Sequence, residues 1–313
     1  MRRLLDVIIL SAVIGGGAYL AYTHPAQVRH LMRLAQDTVA PCSSPRTYSL
    51  IAVDPRFDIS TSTVLSNLKQ AEEIWEEPSG KDLFEYKPEG GEVSVALVYD
   101  ERQQATDKLS SLGIRIDESK ATYDSLRAKY DDLSIEVEQD KATYERSVAA
   151  YEEREAAYNA EVRKWNREGG APPAEYAKLN AEKVALEDDL RDIRAMESRL
   201  NRDIDTLNAL ATRLNQLIVQ LNLNVDQYNQ TGARSGEFEE GLYEVKSGIA
   251  TITIYEFASD AKLIRVLAHE FGHALGMDHV GDAAAIMYKI NKGTSLTATD
   301  ADAAELNRVC RLK

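Results

Sequence analysis

The eleven residues HEFGHALGMDH, running from His269 to His279, decide how this chain reads. On a helix, side chains four apart share a face, so His269 and His273 point at one spot and can both hold a metal. Glu270 sits beside them, where a general base has to stand. Gly276 is placed to end the helix, because glycine takes the left-handed conformation that turns a chain, and the turn can bring His279 back as a third nitrogen ligand. Three neutral imidazoles leave one position of a zinc ion open to water, which is the layout of a catalytic rather than a closed structural site. Three of the chain's five histidines fall within these eleven residues, which argues against solvated helix histidines met by chance.

The extended pattern HExxHxxGxxH resembles the metzincin metalloproteases. Within them it is most similar to the matrixin branch, because Ala285-Ile286-Met287-Tyr288 follows the third histidine after a short link and matches that branch's Met-turn. The resemblance implies that His269, His273 and His279 ligate one catalytic Zn2+, that Glu270 is the base, and that Met287 forms an apolar floor beneath the metal. It extends over 45–104 and 236–313, with sharp motifs only in 269–288. The chain departs from the branch at Val280, where Ser is usual, and at Lys289-Ile290-Asn291, which lacks the usual Pro, so the shape of the S1′ pocket is not carried over. A zinc-plugging cysteine in matrixins has a Pro-Arg-Cys-Gly context that Cys42 lacks, and no cysteine switch is transferred. Structural calcium is compatible with the resemblance, but no ligand pattern for it is readable.

At 313 residues and 44% hydrophobic content the chain can bury one sizeable core plus an appendage. Its formal charge of -14, from 37 basic and 51 acidic residues, argues against nucleic acid as a partner. Residues 4–22 are nearly continuously apolar after Arg2 and Arg3, broken only by Asp6. They are about long enough to cross a bilayer core of roughly 30 Å at 1.5 Å per residue. No Ala-x-Ala site closes the run, which favours an uncleaved membrane anchor over a signal peptide. The arginine pair then places the rest of the chain outside, in a periplasm or on a cell surface, and secreted if 1–23 is cleaved. Residues 24–45 read as a linker ending in Ala40-Pro41-Cys42-Ser43-Ser44-Pro45. Cys42 precedes the first expected strand and Cys310 follows the last expected helix, so a bridge between them would tie the ends of the domain in an oxidising compartment.

Residues 48–53 and 92–99 read as strands, and 61–77 as a helix with Val64, Leu65, Leu68, Ala71, Ile74 and Trp75 at helical spacing. From Leu109 the pattern changes. Ile116, Tyr123, Tyr130, Val137, Tyr144, Tyr151, Tyr158 and Trp165 recur every seven residues, with Leu112, Leu126 and Leu133 at the alternate positions. After a Gly/Pro break at 167–173 the heptad resumes at Leu179, Leu186, Ile193, Leu200, Leu207, Leu214, Leu221 and Tyr228. Such persistence means supercoiled helices, and the central break implies an antiparallel hairpin of arms reaching roughly 90 Å at 1.5 Å per residue. The tyrosine seam reads as core, and Asn201, Asn208, Asn215, Asn222 and Asn229, also seven apart, as a solvated flank. Beyond Gly236 the pattern becomes β-like over 237–245 and 249–257. A helix opened by Ser259-Asp260 follows, and a last helix lies in 296–309 behind Thr297 or Thr299.

The expected fold is α+β, a metzincin-like catalytic domain of mixed sheet and active-site helix over 46–104 and 232–313. An antiparallel helical hairpin is inserted at 105–231, and a transmembrane helix precedes the linker. The expected function is zinc-dependent endopeptidase action on protein or peptide, with the strand before Val245 as cleft edge and the hairpin recruiting a substrate or partner. A membrane-tethered coiled-coil scaffold with a non-catalytic protease-like domain is the alternative. Self-association through the hairpin is a third.

Overall fold

Alternating β-branched residues build the centre of the fold. In the computed structural model, which describes residue 23 and residues 25–114, 119–220, 240–289, 291, 293 and 295–312, five strands form one sheet. They are β1 Arg46–Val53, β2 Phe84–Tyr86, β3 Val93–Leu97, β4 Gly241–Lys246 and β5 Ile249–Ile254, in the order β2-β1-β3-β5-β4. All neighbours pair in parallel except β4, which runs antiparallel to β5 as the outer strand. Val93, Val95 and Leu97 alternate inward from β3, as do Ala250, Ile252 and Ile254 from β5. Ser247 and Gly248 both take positive φ in the turn joining β4 to β5, the geometry a tight hairpin between twisted strands requires. β2 is three residues long and carries no alternation, so the sequence pattern did not reveal it.

The chain divides into two compact units, Met1–Asp107 with Gly236–Lys313, and Lys108–Ser235. The expected membrane span at 4–22 lies outside the described residues. Among those described, no helix is long and apolar enough to cross a membrane.

In the first unit, part of the expected linker is helical, as α1 Pro25–Val39. Arg33 on α1 donates to the Ser44 hydroxyl and carbonyl, both at 3.0 Å. Helix α2, Thr61–Ser79, starts where the Ser60 side chain accepts from the Thr63 N–H and stops at Gly80, which has φ 61°. Its apolar stripe of Val64, Leu68, Ala71, Ile74 and Trp75 is buried. Trp75 has no exposed surface, and truncating a ring so placed costs about 3–5 kcal/mol. Helix α6, Asp260–Leu275, packs on α2, and helix α7, Asp300–Cys310, closes the unit. A disulfide joins Cys42 to Cys310, whose Cα atoms lie 5.2 Å apart.

Helix α3, Glu101–Ser111, begins on the sheet. Gln103 exchanges hydrogen bonds with the main chain of Phe257 at 2.8 and 3.1 Å, and Thr106 donates to Glu256. The first unit therefore runs to Asp107, a few residues past the expected boundary at 104/105.

The helix expected to run unbroken from Leu109 stops. Gly113, at φ 71°, lets its own N–H reach Ser110 and that of Ile114 reach Leu109, and Leu112 is left half exposed rather than in a seam. The first arm is instead α4, Lys120–Arg167, capped by Ser119, and the second is α5, Pro173–Gln220. Each has 48 described residues, about 72 Å at 1.5 Å per residue, against the roughly 90 Å expected. Ile116, Leu221 and Tyr228 lie outside the described residues. Gly169 and Gly170, with φ of 86° and 127°, make the turn that no β-carbon residue would take readily. Tyr123, Leu126 and Val137 on α4 and Leu186, Ile193, Leu200, Leu214 and Ile218 on α5 are buried at heptad spacing. Arg154 pairs with both Glu182 and Asp189 across the seam, residues that lie about as far after the Gly169–Gly170 turn as Arg154 lies before it, as antiparallel arms require. Asn201 and Asn208 are exposed as expected, whereas Asn215 is buried, and Asn222 and Asn229 lie outside the described residues.

Candidate active site

Helix α6 carries the first half of the histidine motif. The Ser259 side chain caps its start, and Gly276, with φ 93°, ends it through bonds from its N–H to the Gly272 and His273 carbonyls. The chain then doubles back. Val280 pairs with Tyr288 in a short bridge, the Val280 N–H reaching the Met287 carbonyl at 2.9 Å.

This fold-back brings His279 to the other two histidines. The three Nε2 atoms lie 3.1, 3.2 and 3.2 Å from one another. His269 Nδ1 is 2.8 Å from the Ile286 carbonyl, and His273 Nδ1 is 3.0 Å from the Met277 carbonyl. A carbonyl only accepts, so each Nδ1 carries the proton and each Nε2 a lone pair turned toward the other rings. Lone pairs so close repel unless a cation sits among them. Zinc–nitrogen bonds of about 2.0–2.1 Å in a tetrahedron place the nitrogens roughly 3.3 Å apart, close to the spacing seen, and the donor set therefore fits zinc. Burial, reinforced by the neighbouring His273, pushes the His269 ring down to about 3, so the ring stays neutral. Burial lowers His279 as well.

Met287 is fully buried, with its sulfur against Gly272 of α6. A β-carbon on Gly272 would fall 2.2 Å from the Met287 sulfur, so only glycine allows the sulfur this close to α6. Trp75 supports the same spot by donating its indole N–H to the Ala268 carbonyl at 2.8 Å. On the other side of the motif, Phe271 stacks on Phe84 with ring centres 4.3 Å apart.

Glu270 is buried, and the first residue of β4 lies against it. A β-carbon on Gly241 would come within 2.8 Å of a Glu270 carboxylate oxygen and 2.7 Å of Val266. The carboxylate and the outer strand of the sheet thus meet with no side chain between them.

Helix α7 holds both turns that follow α6. Glu305 accepts from the Asp278 N–H at 2.8 Å, and Arg308 keeps the Glu305 carboxyl below the usual carboxylate range. Asp302 accepts from the N–H groups of Ile286 and Met287, both at 2.9 Å. Neither contact was identified from the sequence. The signal was the Thr299-x-x-Asp302 spacing, a capping box whose acidic member was free to do more than cap.

A comparison with family profiles matches the one described as Matrixin over residues 136–309, just over half of the chain. The match begins inside α4, so strands β1 to β3, which the sequence assigned to the same resemblance, fall outside it. Searches of curated proteins and of solved structures return no match.

Proposed function

Since the chain belongs to the matrixin family, we propose that it is a zinc-dependent endopeptidase in which His269, His273 and His279 hold the metal and Glu270 is the general base. The observation that carries this is the triangle of Nε2 atoms at 3.1–3.2 Å, two of them held by Nδ1 bonds to backbone carbonyls.

The chemistry a bound zinc supplies is Lewis acidity, which polarises the scissile carbonyl and brings the pKa of water from about 15.7 toward 7. Everything else falls to the chain. Glu270 takes the proton from the attacking water and passes it to the leaving amine. β4, paired on one side only among the described residues, offers main-chain donors and acceptors to an extended peptide, which adds itself as a further strand. The missing side chain at Gly241 lets that peptide approach the base.

Anchoring through residues 4–22 and an extracytoplasmic catalytic domain belong to the same proposal. The apolar run supports the first and the Cys42–Cys310 bridge the second, because disulfides persist in oxidising compartments. The hairpin would recruit a protein substrate or partner. The test is hydrolysis of an unstructured protein by the wild type and by Glu270→Ala, with zinc measured in both. The proposal expects equal zinc and a loss of at least about three orders of magnitude in rate. Substantial hydrolysis by Glu270→Ala would refute the assigned base.

A further inference from the structure

Two buried charged side chains that take no part in the proposed hydrolysis grip the Met-turn main chain from opposite sides. Asp302 has no exposed surface. Its Oδ2 accepts from the Ile286 and Thr299 N–H groups at 2.9 Å and from the Thr299 hydroxyl at 3.0 Å, and its Oδ1 accepts from the Met287 N–H at 2.9 Å. Arg265, one turn before His269 on α6, is 2% exposed. Its Nη2 donates to the Ala285 carbonyl at 2.9 Å, its Nε to the Asn291 side chain at 3.0 Å, and its Nη1 to the Ser295 carbonyl. Gly293 lies flat on the guanidinium, where a β-carbon would fall 2.6 Å from Cζ.

The peptide between Ala285 and Ile286 therefore has its oxygen on a cation and its N–H on a carboxylate. The next carbonyl along, that of Ile286, is the one 2.8 Å from His269 Nδ1. Capping a helix needs no buried carboxylate, and withdrawing one from water costs several kcal/mol unless donors replace the water. Four do so at Asp302, and two of these are the Met-turn amides. Hydrogen bonds in series through one polarised peptide also strengthen one another.

We propose that Asp302 and Arg265 form a peptide-bridged charge pair that positions the Ile286 carbonyl and, through it, the ring of His269 for metal binding. Both are positioning residues, and the inference rests on the histidine site described above. It assigns a specific task to two residues 37 positions apart in sequence that share no direct bond in the chain of contacts just given.

The full-length protein with its disulfide intact, stripped of metal, is titrated with Zn2+ against a chromophoric chelator and with Co2+ for its visible absorption. Asp302→Asn keeps the shape but turns an amide N–H toward a donor. Its zinc affinity should fall about 10–100-fold, the usual cost of losing the partner of a ligating histidine, with an altered Co2+ spectrum and native circular dichroism. Arg265→Met should act in the same direction, and the double variant should lose less than the product of the two single losses, since no buried charge is left without its counterpart. If Asp302→Asn does not fold, Thr299→Val, which removes one bond to the same carboxylate, should weaken zinc binding by about three- to tenfold. Unchanged affinity and cobalt spectrum in a folded variant, or multiplicative losses in the double variant, would overturn the charge pair alone. A wild-type protein that takes up neither ion would overturn the histidine site and this inference with it.

Discussion

The unit bearing the histidines and the helical hairpin use their residues in opposite ways. In the first, particular polar groups take particular partners: buried Glu72 accepts from Tyr48, buried Asp302 from the Met-turn, and half-buried Glu76 from the amides of Leu83 and Phe84. Removing one such partner strands another, and the cost is local and large. Along the hairpin the same apolar contact recurs every seven residues, and ion pairs such as Arg154–Glu182, Arg154–Asp189, Lys178–Glu175 and Arg191–Asp188 are largely solvent-exposed. A loss there is diluted over many equivalent contacts. The contrast separates a region that needs particular atoms in particular places from one that needs only a pattern.

Substitutions ranked by expected effect test that contrast. His273→Ala should release the metal and abolish hydrolysis, since it removes one of three ligands, with zinc content by atomic absorption as the readout. Gly241→Val forces a side chain onto Glu270 and Val266. It should lower kcat by about a hundredfold or more while zinc and KM change little, because misplacing a catalytic group by about an ångström costs that much. An unchanged kcat would mean that the strand shifts to make room. Cys310→Ser opens a loop spanning 268 positions and should cost up to about 4–5 kcal/mol in denaturant unfolding under oxidising conditions. Reductant should reproduce this loss in the wild type, and the melting of the hairpin should not move. Arg154→Ala removes two ion pairs from a side chain that is 42% exposed and should cost no more than about 1 kcal/mol. A cost of several kcal/mol there would show the hairpin to be as specific as the site.

The two regions were also legible in the sequence for different reasons. The histidine triad and Met-turn could be named because HExxHxxGxxH and its follow-on lie in one short stretch, where spacing largely fixes geometry. The contacts of Arg265 and Asp302 with the Met-turn could not, because they depend on a loop folding back between α6 and α7; the local Thr299-x-x-Asp302 spacing records a helix cap but not that contact. Heptads revealed the hairpin but not its start, since a periodic seam continues on paper through Gly113 while the backbone there turns out of the helix. Both Thr297 and Thr299 stand three residues before an acid, Asp300 and Asp302, so spacing alone did not choose between them; Thr299 proved to be the cap, with Asp302 returning the bond to its N–H. β2 escaped notice because it is held by pairing with β1 rather than by any pattern of its own.

Removal of the hairpin is the most direct test of the division of labour between the units. Residues 112–235 are replaced by a short Gly/Ser turn, which keeps α3 and its bonds to Glu256 and Phe257. The shortened protein is assayed for zinc content and for hydrolysis of a small fluorogenic peptide and of an intact protein substrate of the wild type. One zinc per chain, peptide hydrolysis within about tenfold of the full-length protein, and a sharply reduced rate on the protein substrate are the expected results. Loss of zinc together with peptide hydrolysis would contradict the account, because the hairpin would then be part of the fold that makes the site.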